Sequence, residues 1–123
     1  MHELSLASAI AEKVLAHAQS RPGARVREVR LAVGEWMCVQ VEQLTFCYRA
    51  IIQETPIEES TLAIERVEGS VHCPHCGYDG RPAYWDDAQW LAPVATLQCP
   101  RCQQTAQIVA GQDCAIRSIQ YAR

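Results

Sequence analysis

Two short cysteine knuckles limit what this chain can become more than any other feature. Cys73-Pro74-His75-Cys76-Gly77 and Cys99-Pro100-Arg101-Cys102-Gln103 repeat a C-P-x-C pattern across a gap of 22 residues. Two residues between paired cysteines let a tight turn aim both thiolates at one ion. The proline presets φ, and Gly77 supplies the positive φ that the turn needs next. Gln103 stands where the second knuckle would carry glycine, and a left-handed residue with a side chain costs about 1–2 kcal/mol. Two knuckles complete a tetrahedral four-sulfur shell, the usual structural Zn(II) site. Iron in the same geometry is the lesser alternative. With Cys73, Cys76, Cys99 and Cys102 all used as ligands, no position stays open for a catalytic water. The expected metal is structural or regulatory.

The cysteine total fits that reading. The 123 residues hold seven cysteines, an odd number that a disulfide scaffold does not explain. Met1-His2-Glu3-Leu4 has no basic n-region, and Ser5, Ser8, Glu12 and Lys13 interrupt the apolar residues that follow. This is neither a signal peptide nor a transmembrane span, and no later stretch qualifies. A cytoplasmic protein is expected, where disulfides rarely persist. Cys47 and Cys114 read as small buried hydrophobes; Cys38 falls in a loop.

Outside the knuckles the hydrophobic period alternates between helix and strand. Leu4, Ala7, Ile10, Ala11, Val14, Leu15 and Ala18 follow the three-four spacing of an amphipathic helix, which Arg21-Pro22-Gly23 stops. Val26 to Val33 alternates as a half-buried strand. Val41 to Gln53 returns to helical spacing and ends at Thr55-Pro56. Thr61 to Val67 alternates again, and Ile116, Ile119 and Tyr121 mark a closing strand. The expected fold is α+β: two helices packed on a small three-stranded sheet, with an inserted four-cysteine, zinc-ribbon-like module. The expected boundaries are 1–68 plus 108–123 for the α+β domain and 69–107 for the module.

Charge bears on what the module can bind. From Gly69 to Thr105 two arginines stand against three aspartates, within a chain of net charge −3. Tyr84, Trp85 and Trp90 could stack on bases, but no cations interleave them to hold phosphates. Nucleic acid is not an expected partner. These aromatics either pack the loop onto its own knuckles or, for Trp85 and Trp90, offer a docking surface. His72 and His75 flank the first knuckle; they are either exposed bystanders or substitute ligands that would make the site pH-sensitive.

The amino terminus holds a second ligand set. A terminal amine, the amide nitrogen of His2 and its imidazole could close five- and six-membered chelate rings on one ion. Amide nitrogens deprotonate for strongly Lewis-acidic ions with a square-planar preference, which selects nickel or copper over zinc. Alone, a histidine at position 2 is usually only a terminal histidine.

The whole pattern is more specific. Met1-His2-Glu3-Leu4-Ser5-Leu6 heads an amphipathic helix, a strand ends in Val33-Gly34-Glu35, Val39 to Leu44 opens a second helix, and two C-P-x-C knuckles follow. In this order, over nearly the whole chain, the sequence resembles the HypA/HybF family of hydrogenase maturation factors, the nickel metallochaperones. The resemblance implies a Ni(II) site centred on His2 with the backbone nitrogens of His2 and Glu3, and a separate Zn(II) site at Cys73, Cys76, Cys99 and Cys102. It implies delivery of nickel to the large subunit of a [NiFe] hydrogenase, in company with the GTPase HypB. Some members also serve urease, which makes urease accessory proteins further candidate partners. The family is not enzymatic. The segment 1–68 plus 108–123 then becomes the nickel-binding domain of a monomer or homodimer.

Two departures stand out. Gln40 occupies a position where the family commonly carries an acidic residue, with Glu42 close by in sequence. The gap between knuckles is longer than is usual, part of Tyr84 to Trp90 included. The reading from another class is a zinc-ribbon adaptor or transcription-associated binding protein, which salt-dependent binding to nucleic acid would distinguish. A zinc hydrolase lacks support, since no H-E-x-x-H is present. His17, on the first helix, reads as a surface or interface histidine.

Overall fold

The computed structural model describes residues 3–85 and 94–122. In chain order its elements are α1 (Glu3–Gln19), β1 (Arg25–Gly34), a 3-10 turn (Glu35–Met37), α2 (Val41–Ile51), β2 (Thr61–Val67), β3 (Ser70–His72), β4 (Asp79–Gly80), β5 (Tyr84–Trp85), β6 (Val94–Ala95), β7 (Gln107–Ala110) and β8 (Cys114–Ala122). The chain divides into two compact units. The first takes in Met1–Ala32, Val39–Glu65 and Cys114–Arg123; the second takes in Val33–Cys38 and Arg66–Asp113.

In the first unit, α1 buries Leu6, Ala7, Ile10, Ala11 and Val14 along one face, the stripe that its three-four spacing requires. Its last turn closes where Ser20 Oγ donates to the His17 carbonyl at 2.6 Å, and Gly23 follows with φ +86. The α2 helix buries Leu44, Cys47 and Tyr48 and packs against α1. The sheet order is β2-β1-β8, which puts β1 in the middle. The sequence of β1 explains its place: Val26, Val29, Leu31, Ala32 and Val33 are all buried, and a valine or leucine contributes about 1.5–3 kcal/mol when fully covered. Two helices on a three-stranded sheet, together with a four-cysteine module, is the architecture that the hydrophobic period and the knuckles predict.

One polar chain crosses this core. Tyr48 donates to Ser60 Oγ at 2.7 Å, and Ser60 Oγ donates to the Ile57 carbonyl at 2.7 Å. All three residues are buried, so each polar atom has the partner that burial demands. Burial raises the Tyr48 phenol above its ordinary value of 10.0, despite the opposing bond to Ser60.

The second unit is built on short strands. β3 pairs antiparallel with β4, His72 opposite Asp79, and with β7, Val71 opposite Ile108. β5 and β6 pair antiparallel, Tyr84 opposite Ala95. Three glycines let main chains stack closely here. A Cβ on Gly34 would fall 2.2 Å from the Gly111 carbonyl oxygen, and one on Gly111 would fall 2.6 Å from Gly69 Cα. The Gly34 N–H donates to the Asp113 carbonyl at 2.8 Å, and the Trp36 N–H donates to the Gly111 carbonyl at 2.9 Å. These bonds fix the segment from Val33 onward within the second unit. Among the described residues, no helix is long and apolar enough to cross a membrane.

Candidate metal centre

The two knuckles fold as local copies of one another. Each closes with a bond from the fifth residue back to the first cysteine: Gly77 N–H to the Cys73 carbonyl at 2.8 Å, and Gln103 N–H to the Cys99 carbonyl at 2.9 Å. Each first cysteine donates its own N–H to the residue after the turn, Cys73 to the Tyr78 carbonyl and Cys99 to the Gln104 carbonyl, both at 2.8 Å. Gly77 has φ +77 and Gln103 φ +66. The glutamine thus adopts the left-handed conformation that glycine would take without strain.

The turns bring all four sulfurs together. Cys73 Sγ lies 3.5 Å from Cys102 Sγ, and Cys76 Sγ lies 3.6 Å from Cys99 Sγ. All four Sγ atoms are within 4.8 Å of one another. A zinc–sulfur bond of about 2.3 Å in a tetrahedron sets sulfur–sulfur edges of about 3.8 Å, so the four residues fit one tetrahedral thiolate-bound ion. A disulfide needs about 2.0 Å, and the cysteines are free thiols. Cys73 and Cys99 are buried with Val71 and Ala106, while Trp36, Tyr78, Cys76 and Cys102 pack around that cluster.

The four thiols are electrostatically unequal. Burial pushes the Cys99 thiol up, but the main-chain groups of Cys102 and Arg101 and the thiols of Cys76 and Cys102 together hold it down to about 6. The Arg101 N–H reaches Cys99 Sγ at 3.3 Å. Cys102 receives help from the Gln104 main chain, but burial and the three neighbouring sulfurs push it up to about 12. Cys76 is raised, chiefly by burial. Four sulfurs in one shell cannot all carry charge without a cation, which a metal ion held by Cys73, Cys76, Cys99 and Cys102 would supply.

A second layer holds this cluster, and it comes from the segment between β1 and α2. Glu35 accepts through Oε1 from the Gly69 N–H at 2.8 Å and from the Tyr84 hydroxyl at 3.2 Å. Its Oε2 lies 3.5 Å from Arg81, which also pairs with Glu68 at 2.8 Å and lies over the Tyr84 ring at 5.1 Å. Trp36 next to it lays its ring on Gly69 and against the cysteine cluster. Periodicity gives no sign of either role, because their partners lie more than thirty residues along the chain.

The remaining predicted residues are more scattered. His2 lies outside the described residues. Glu3 is the first residue of α1. Gln40 is exposed and precedes α2, where its carbonyl accepts from the Leu44 N–H at 2.9 Å and its side chain caps nothing; Glu42 stands in the first turn. Trp85 is exposed on β5, and Trp90 lies outside the described residues. His72 Nδ1 pairs with Asp79 Oδ1 across β3 and β4 at 2.7 Å, and His75 is exposed; neither belongs to the four-sulfur group. Cys47 is buried, Cys114 half-buried and Cys38 exposed.

Comparison with known proteins gives one consistent result. A family model described as "HypA: Hydrogenase/urease nickel incorporation, metallochaperone, hypA" matches residues 1–121. The chain is 35% identical to the hydrogenase maturation factor HypA of Methanopyrus kandleri, covering 97% of this chain and 92% of that one. It is 32% identical to the HypA of Methanosarcina barkeri, covering 98% and 95%. Its fold is similar to the solution structure of the Ni metallochaperone HypA from Helicobacter pylori, with a TM-score of 0.64, 17% identity, and coverage of 98% of this chain and 97% of that one.

Proposed function

Since the chain belongs to the HypA family of hydrogenase/urease nickel-incorporation metallochaperones, we propose that it carries Ni(II) at its N-terminus as cargo. The recipient is the large subunit of a [NiFe] hydrogenase during maturation, with the GTPase HypB as working partner in the cytoplasm. The observation that carries this reading is the extent of the family match, residues 1–121, which takes in both His2 and the four cysteines.

The ligands proposed for nickel are the His2 imidazole and the backbone nitrogens of His2 and Glu3. The chemistry of a helix start favours this. The first N–H groups of a helix have no intrahelical acceptor, so Glu3, at the first position of α1, can lose its amide proton to a metal without breaking a helical bond. The Glu3 carboxylate in that first turn also offsets the positive end of the helix, which would otherwise repel a cation. Such a chelate holds its ion by groups that a recipient can displace one at a time. Every ligand must be deprotonated, so acid favours release.

The four-sulfur centre is assigned to a resident Zn(II), held by Cys73, Cys76, Cys99 and Cys102, which ties the two knuckles together. With four protein thiolates it has no open position, and the chain is read as a carrier and not a catalyst.

Nickel titration by calorimetry, with zinc measured in parallel, tests the reading. His2→Ala is expected to abolish nickel binding and leave zinc content unchanged. Wild-type nickel affinity in that variant would overturn the assignment.

A further inference from the structure

A groove of about 650 Å³ runs between α1 and β8 in the first unit. Its lining includes six successive residues of β8, Cys114 to Ile119. Side chains alternate between the two faces of a strand, so a groove that meets six consecutive residues reaches both faces of β8, and it extends to Leu31 on β1. β8 is an edge: among the described strands of its sheet it neighbours only β1, which leaves one side of its main chain open to a further strand. Ile116 and Ile119 are half-buried along it.

The rim is cationic. Lys13, Arg21 and Arg117 are exposed there with His17, and among the described residues no aspartate or glutamate lines the groove, although the chain as a whole carries net charge −3. Arg21 is held over the Tyr121 ring at 5.0 Å. Pairing two copies through this edge would set cation against cation, which is destabilising. We propose that this groove docks an extended acidic segment of a partner protein, added as a strand to β8. With side chains alternating, its carboxylates would lie on the face of Arg117, toward Lys13 and Arg21, and its apolar side chains on the opposite face, beside Ile116. None of the groove's lining residues is a proposed metal ligand.

The probe is a fluorescein-labelled ten-residue peptide alternating glutamate and valine, with a lysine–valine peptide as its counterpart, titrated onto the full zinc-loaded chain. The acidic peptide is expected to bind at least about tenfold more tightly and to weaken as salt rises to about 0.5 M. It should shift backbone amide resonances of β8. The Lys13→Glu, Arg117→Glu double variant should lose about tenfold or more, while Arg49→Glu on α2 changes nothing. Equal affinity for both peptides, no binding of the acidic peptide at millimolar concentration, or an equal loss in Arg49→Glu would each overturn the proposal. So would a dimer joined through β8 that Arg117→Glu dissociates, since the occupant would then be a second copy.

Discussion

Gly69 lies against the ring of Trp36 so closely that a Cβ on it would fall 2.3 Å from Trp36 Cζ3. The ring cannot give way freely, because its other neighbours are the cysteine cluster. Gly69→Ala therefore should cost about 1–3 kcal/mol, the range for forcing an extra methyl into packed structure. The loss should appear in chemical denaturation followed by tryptophan fluorescence. Gly23→Ala serves as a contrast, since no atom stands within 4 Å of its Cβ position and only its φ of +86 opposes the change.

Glu35 contributes both an acceptor and a charge, and two variants separate them. Glu35→Ala leaves the buried Gly69 N–H without its 2.8 Å partner, a loss of about 1–3 kcal/mol. Glu35→Gln keeps a carbonyl oxygen for that N–H and gives up only the Arg81 interaction at 3.5 Å, which is about half exposed on the arginine side. Its cost should stay below about 1 kcal/mol. Similar destabilisation by the two variants would show that charge, not the bond to Gly69, is what matters.

Zinc retention should depend on pH with a defined sign. The Cys99 thiol is held down to about 6, below its ordinary 9.0, so a thiolate is available above that value and is lost as pH falls through it. Zinc must also displace protons from Cys76 and Cys102, both raised, and these are the ligands for which protons compete most strongly. Challenge with a chelator over a pH series should show zinc retained best at alkaline pH and released progressively as pH falls. Retention that does not fall with pH would contradict thiolate ligation of the ion.

The second knuckle holds a correctable strain. Gln103 sits at φ +66, where a side chain costs about 1–2 kcal/mol, and glycine there loses more unfolded-state entropy by about 0.5–1 kcal/mol. Gln103→Gly should thus stabilise the zinc-bound chain by about 0–1.5 kcal/mol. The reverse change at the matching position, Gly77→Ala at φ +77 with open space around it, should cost about 1 kcal/mol. Thermal unfolding of the two variants, zinc-loaded, makes the comparison.

How much of this was legible beforehand varies with how local the cause is. The helices α1 and α2 and the strands β2 and β8 follow from periods that neighbouring residues set together; β1 is a strand as expected, but its Leu31–Gly34 stretch is buried in succession and not by halves, because β1 lies in the middle of the sheet. The knuckles were legible for the same reason: a C-P-x-C turn is specified within five residues, including the left-handed conformation of Gln103. The strand β7 was not, because Gln107 to Ala110 is short and half exposed, and its partner β3 is far away in sequence. Glu35 and Trp36 read only as the end of a strand. Their attachment to Gly69 and the cysteine cluster depends on residues over thirty positions distant, and no local pattern records it. The long loop between the knuckles gave aromatics without a placement. The structure puts Tyr84 on Glu35 and under Arg81, which answers for one of the three.

The stacked glycines at 34, 69 and 111 have a further consequence for how firmly the second unit is indexed. A strand that slips by one residue is normally opposed only by the turning of its side chains to the wrong face. Here a slip of the segment following β1 would bring Val33 or Glu35 opposite the Gly111 carbonyl, where even a single carbon atom beyond the main chain lies 2.2 Å from oxygen. The three bare positions therefore act as a keyway: the segment seats in one setting, and that setting is the one that delivers Glu35 to the Gly69 N–H and Trp36 to the cysteines.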